Sequence, residues 1–444
     1  GFKQGASNPC LFHNKEINVS VMVHGDDFVA VGTEKNLQAT RAALESKYKI
    51  KVEVVGTGEG QVSEVRILNK VIRLTDKGVE LEADPRHAEL TIRALGLEDA
   101  KISTVPGAKE VRKRDNGDRE CDSVAAARRS AGDVTWKDDE LAAEEENENY
   151  NDDDDPLLEP DQARVYREVA ARLNYLAPDR ADIGYATKEA ARAMSSPRAS
   201  HMNKIKKIGR YLKGKPRMVS LFQWQDTPST LTTFTDSDWA GCAKSARSTS
   251  GGIVCLGEHV LKTYCKQQKV VALSSAEAEL YAMVAASAES MGIQSYLRDL
   301  GIEVKSELYT DSSAALGITK RAGIGKVRHL RTQGLWLQEV RVSGRITYKK
   351  VLGEKNPADL LTKYMTAELA RRHTDTINMR AIGGRAESAP ELGTLNEDDT
   401  TDRLHGNACD DDITHDMHEH DTSDMDHSKH GKHEIISWVK SWVE

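Results

Sequence analysis

Between Leu231 and Lys363 the sequence switches repeatedly between two hydrophobic periods, and that order restricts the fold more than anything else in the chain. Strand-like LTTF, SGGIVCLG and LKTYC come first. A long helical stretch from Ser275 to Leu300 follows, then a strand (SELYT), a helix, a strand (RITYKKVL) and a last short helix. A strand repeats about every two residues and an amphipathic helix about every 3.6. Three strands, helix, strand, helix, strand, helix is a mixed α/β plan in which helices cover a sheet.

The rest of the 444 residues reads as further pieces. Asn18–Gly32 holds two β-rich runs around a short polar tip, the pattern of a hairpin. A helix over Ala39–Tyr48, alternating strand text (QVSEVRI, KVIRL) and a helix near Arg86–Leu95 follow. Between Arg112 and Pro160 the run DDELAAEEENENYNDDDDP has almost no apolar periodicity, so it reads as a disordered acidic linker. It carries much of the formal net charge of -8, leaving the flanking pieces closer to neutral or basic. Helical text resumes at Tyr166–Tyr175 and Ile183–Met194. A basic helix then carries Lys204, Lys207, Arg210 and Lys213, which either tracks a phosphate backbone or is a solvated face. The expected divisions are 1–110, the acidic insertion 111–160, a helical connection 161–225, the α/β domain 226–365 and a mostly disordered His/Asp-rich tail 366–444.

Other features narrow the function classes. The six cysteines form no CxxC pair, which removes zinc-ligand spacing and a disulfide framework and suits reduced thiols inside a cell. No run of about 18 apolar residues is present, so no membrane partner is expected. The start GFKQGASNP lacks a secretory pattern and reads as if cut from something longer.

The chemistry is expected from four carboxylates. Asp236 ends the first strand of the α/β stretch, Glu279 lies on the long helix, Asp311 ends a strand and Asp359 opens the last helix. Two unit charges at ~4 Å repel by roughly 4 kcal/mol at an effective dielectric of about 20, so gathered acids need cations. Oxygen ligands without His or Cys suit a hard ion such as Mg²⁺. Two ions about 3.5–4 Å apart could activate water and stabilise a leaving oxygen. Glu277, three residues after Ser274, has capping-box spacing and a structural role. Asp359, behind Asn356 and Pro357, is equally a ligand or a cap. Asp238 shares the face of Asp236 if the strand continues.

TDSDWAG, RSTSGG, KQQKVVALSSAEAEL, DSSAAL and NPADLLTK occur in that order over Thr235–Lys363. Together they resemble the RNase H domain of copia-type retrotransposon Pol polyproteins. YREVAARLNYLAPDRADIGYATKEAARAMSSP with HMNKIKKIGRYLKG resembles the connecting helices of that family, and VHGDDFVAVG its reverse transcriptase palm hairpin. The resemblance implies an α+β palm fragment followed by an RNase H-like mixed-sheet domain. It implies an endonuclease cutting the RNA strand of RNA–DNA hybrids with two Mg²⁺ (or Mn²⁺) ions on Asp236, Glu279, Asp311 and Asp359. Asp26 and Asp27 would be palm metal ligands, although a two-Asp tip is also an ordinary turn. Upstream polyprotein segments would be partners, and the cytoplasm or a virus-like particle the location.

Departures from the family pattern bear on activity. The third polymerase Asp, the fingers and most of the palm are not in this chain, so polymerase activity is not expected. His24-Gly25 stands where Tyr-Val is usual, and the acidic insertion is foreign to the pattern. The alternative is a catalytically dead remnant that at most binds nucleic acid. A further alternative, metal binding by the tail histidines His415 to His433, is weakened by their irregular spacing.

Overall fold

The computed structural model describes residues 1–56, 58–108, 155–242, 244–323, 325, 328–390 and the backbone of 433–439. The bulk of the acidic run and most of the His-rich tail lie outside the described residues.

The chain opens with strands β1 (Lys3–Gln4), β2 (Leu11–Asn14), β3 (Val19–His24) and β4 (Asp27–Gly32), the last two forming the expected hairpin with His24 opposite Asp27. Helix α1 (Glu34–Glu45) follows, then β5 (Ile50–Val55). An antiparallel meander comes next: β6 (Glu64–Ile67), β7 (Lys70–Thr75) and β8 (Gly78–Glu82). Helix α2 (Pro85–Ala94) has Pro at its first turn and Asp84 as cap, the Asp84 carboxylate accepting from the Arg86 N–H at 3.0 Å.

Beyond the acidic run come α3 (Pro160–Leu176), α4 (Gly184–Ala191) and α5 (Ala199–Gly214), then β9 (Arg217–Gln223). The expected division between 1–110 and 161–225 is not a boundary here. Strand β9 pairs antiparallel with β8, and Ala83 and Ala88 share one core with Tyr166, Leu173, Ile205 and Leu212. The acidic run therefore interrupts a folded unit rather than joining two. Its flanking helices, α2 and α3, pack apolar residues into that one shared core.

The α/β domain contains β10 (Thr230–Asp238), β11 (Thr249–Leu256), β12 (His259–Gln267), α6 (Ser275–Asp299), β13 (Lys305–Thr310), α7 (Ser313–Lys320), α8 (Arg331–Val342) and β14 (Ile346–Lys350). The sheet order is β12-β11-β10-β13-β14. The first three strands are antiparallel, and β10, β13 and β14 are parallel. The mixed α/β expectation holds. Leu280, Met283 and Ala286 of α6 pack with Leu308, Leu316, Leu337 and Ile346 on one face. A 3₁₀ turn, Pro357–Leu361, covers part of the other with Leu360 and Leu361 against Ile253. Gly251 permits that approach: a Cβ there would meet Thr362 Cγ2 at 2.7 Å and Leu361 Cβ at 2.9 Å.

After Thr366 the expected disorder gives way to helix α9 (Ala367–Thr376) and strand β15 (Met379–Ile382). Strand β15 pairs with β9 and completes the sheet order β15-β9-β8-β7-β6. Arginine–carboxylate pairs fix this polar segment. Arg217 holds Glu82 with two bonds of 2.7 Å and donates to the Gly383 carbonyl at 2.8 Å, while Arg380 pairs with Glu80. Finally β16 (His433–Val439), where little order was expected, runs parallel to β4 and β5 between them. Its backbone supplies the partners those two strands would otherwise lack.

Candidate active site

The sheet register brings two of the four acids together. Phe234 of β10 lies opposite Tyr309 of β13 in parallel register, so Asp236 and Asp311, each two residues further on, emerge at the same sheet edge. Helix α6 adds the third. Ser274 caps it, its hydroxyl oxygen accepting from the Glu277 N–H at 3.2 Å. The Glu277 carboxylate reaches back to the Leu273 N–H at 2.9 Å, one residue earlier than the expected capping box, and faces His329 at 3.2 Å. Glu279, roughly 200° further round the helix, turns the other way. Its Oε1 accepts from the Ser237 N–H at 3.1 Å and the Ser237 hydroxyl at 2.9 Å.

One ligand oxygen from each of Asp236, Glu279 and Asp311 lies within 4.8 Å of the others. Among the described residues, no second group of three His, Cys, Asp or Glu side chains comes as close. Asp236 is 4% exposed, Glu279 6% and Asp359 7%. The Asn356 side chain caps the turn through the Ala358 N–H at 3.2 Å and donates to the Thr235 carbonyl at 2.9 Å, tying the turn to β10. Asp359 is thereby presented to Asp236, and its side chain does not act as a cap. Its Oδ2 lies 2.9 Å from Lys363 Nζ, and its Oδ1 is buried with no hydrogen-bond partner. Asp236 accepts a hydrogen bond from the Thr362 hydroxyl.

Crowding and burial weaken all four acids. Burial, then the charge of Asp359, pushes Asp236 up to about 7. Burial followed by Asp236 and Asp311 raises Glu279 well above the usual carboxylate range. Asp311 is raised by burial and by Asp236, and Asp359 by burial against the pull of Lys363. The donors are all carboxylate oxygens, one buried oxygen lacks a partner, and charge is in excess. Such a set fits a hard divalent cation.

Sequence reasoning passed over Ser237, Thr362 and Lys363. For Lys363 a signal existed in its i,i+4 spacing from Asp359, a helical ion-pair distance. Asp238 ends β10 half-buried and lies outside the three-acid group. Asp26 is exposed at the hairpin tip beside Gly25, with Asp27 at the start of β4, and neither belongs to a group of three such side chains among the described residues. On α5, Lys204, Lys207 and Arg210 are half-buried. Lys213 departs from expectation, since its ammonium donates to the Ala100 carbonyl at 2.7 Å and braces the core.

No family model matches the chain. The Pol polyprotein of transposon RE1 from Arabidopsis thaliana is 32% identical over 220 residues, 49% of this chain and 15% of its own length. That of transposon TNT 1-94 from Nicotiana tabacum is 30% identical over 186 residues, 41% of this chain and 14% of its own. The chain thus spans about one seventh of these relatives. Among solved structures, the N-terminal RNase H domain of a Mycobacterium tuberculosis protein is 14% identical, with a TM-score of 0.25, over 33% of this chain and 98% of that one. Over part of its length, the chain is homologous to the copia-type Pol polyproteins of retrotransposons.

Proposed function

We propose that the domain of residues 226–365 is a ribonuclease H that cuts the RNA strand of RNA–DNA hybrids. The carrying observation is the gathering of Asp236, Glu279 and Asp311 within 4.8 Å, with the partner-seeking Asp359 beside them. These four residues would hold two Mg²⁺ or Mn²⁺ ions. When bound, such ions activate a water and stabilise the leaving oxygen of a phosphodiester. The protein's own part is to fix the carboxylates: Ser237 orients Glu279, Thr362 orients Asp236, and the Asn356 tether seats Asp359. The substrate would be recognised by shape, phosphates and the 2′-hydroxyl rather than base sequence. Lys204, Lys207 and Arg210 of α5 would contact phosphates, and upstream polyprotein segments would be natural partners inside the cell.

The purified full chain with Mg²⁺ is expected to cleave labelled RNA annealed to DNA and to spare duplex DNA. Asp311→Asn keeps the shape and removes a metal-holding charge, a loss of several kcal/mol in transition-state stabilisation. Cleavage should therefore fall by roughly 100-fold or more. A folded parent that never cuts would establish the dead-remnant alternative. Primer extension is not expected, because Asp26 and Asp27 gather no third acid among the described residues. Template-dependent synthesis by the purified chain would refute that part.

A further inference from the structure

Helix α6 lies across the sheet on two separate apolar clusters. Toward its start Leu280, Met283 and Ala286 meet Leu308, and toward its end Ile293 and Leu297 meet Leu231 and Val254. Ser290 falls on the seam, seven residues from both Met283 and Leu297, so it shares their side of the helix. The strands beneath place two more hydroxyls there. Thr233 of β10 lies opposite Val254 in β11 and Leu308 in β13, and Ser306 of β13 lies opposite Leu231. Residues paired across adjacent strands share a face, so both hydroxyls stand on the face that α6 covers. Thr233 and Ser290 are 0% exposed and Ser306 3%, yet the hydroxyl oxygen of each has no hydrogen-bond partner among the described residues. Other buried hydroxyls of this domain are satisfied: Ser287 donates to the Met283 carbonyl at 2.7 Å, and Thr235 to that of Gly251 at 3.1 Å. Buried polar groups find partners as a rule, so three unmatched oxygens from three elements in one patch mark a place for a shared ligand.

We infer that a water molecule binds at this seam and bridges Ser290 of α6 to Thr233 of β10 and Ser306 of β13. Internal waters make about three hydrogen bonds, to polar groups that the protein itself leaves unmatched. A water donates two bonds and accepts two, and each hydroxyl does either, so a single molecule serves all three oxygens. An ion does not suit the place, because neutral hydroxyls between apolar clusters offer no charge to offset its desolvation. The consequence is mechanical. The helix that carries Glu279 is seated at mid-length through solvent, with packed apolar side chains to either side. This seat is independent of whether the domain cuts hybrid.

The test counts long-lived internal waters in the full chain by oxygen-17 relaxation dispersion of the solvent signal, alongside denaturant titration. Thr233→Val keeps the shape and removes the hydroxyl. It is expected to lose one long-lived water and to lower the unfolding midpoint, because the two remaining hydroxyls are then left bare. Ser290→Ala should do the same. The double variant should lose no second water, and its midpoint should fall by less than the sum of the two single shifts. Ser306→Ala takes the place of Thr233→Val in this cycle if the valine variant does not fold. An unchanged water count, or midpoint shifts that simply add, would overturn the bridge. A raised midpoint for Thr233→Val would also overturn it, since removing a hydroxyl that has no partner at all is stabilising.

Discussion

Two glutamates separated by one residue on the same helix have opposite work, and the side of the helix decides which. Glu277 turns to the Leu273 N–H and His329, and Glu279 to Ser237 and the acid cluster. Glu277→Gln retains an acceptor for the cap, so it should keep most of the hybrid cleavage proposed for the parent. Its stability loss should be about 1 kcal/mol, read by denaturant titration. Gly251→Ala tests the opposite dependence. The added methyl would collide with Leu361 and Thr362, costing about 1–3 kcal/mol and displacing the turn that carries Asp359. Cleavage should fall with it; an alanine variant as active and stable as the parent would show that the approach is slack. Asp236, Glu279 and Asp311 were readable because strand-end and helix positions follow from hydrophobic period. Asp359 stayed ambiguous because Asn356 and Pro357 make a satisfactory helix start on their own. Lys363 went unassigned although its i,i+4 spacing from Asp359 offered a signal, because Asp359 itself had two readings. Lys213 looked like its basic neighbours, and only the approach of the Ala100 carbonyl separates them.

Helix α9 shows how an element can be hidden in polar text. AELARRHTDT has too thin an apolar stripe to announce itself, yet Ala370 packs against the core containing Leu360, and His373 is buried. Its Nε2 has no hydrogen-bond partner. Burial, aided by Arg372 and Lys363, lowers the imidazole from 6.5 to about 4. The folded state therefore favours the neutral ring. Above about pH 6.5 both states are neutral and the residue has no effect. As pH falls from 6.5 toward 4, the unfolded chain takes up a proton that the folded chain refuses, and stability declines through that window. Melting temperatures measured across it should drop more steeply for the parent than for His373→Leu. Equal slopes would mean that the ring is solvated. The helix–strand order of residues 231–363 was largely legible from its hydrophobic periods, except that two helices, α7 and α8, stand where one was expected and the last helix is a 3₁₀ turn. Strands β8, β9 and β15 were not, since each has a pairing partner in a distant segment.

At the scale of the molecule, three stretches far apart in sequence share one sheet. The pair Arg217–Glu82 spans 135 residues and Arg380–Glu80 spans 300. Arg217→Ala would leave the Glu82 carboxylate buried without its two-pronged partner, a loss of about 3–5 kcal/mol by chemical denaturation. A stability change within experimental error would show that Glu82 finds water instead. Ending the chain at Thr366 removes α9 and β15 and uncovers β9, so such a product should be protease-sensitive in residues 64–82 as well as at its new end. The same dispersion sets a timetable for biosynthesis. The meander β6–β8 is made well before β9, with one edge unpaired and the core-facing side of α2 uncovered. Its neighbour β9 is not made until another 134 residues have followed Glu82, and β15 comes 156 residues after β9 ends, at Gln223. Local elements form in microseconds, but synthesis adds only about 5–20 residues per second, so the nascent half waits for seconds in an adhesive state. Chaperone occupancy during translation is therefore expected to affect how much of this chain reaches its native form.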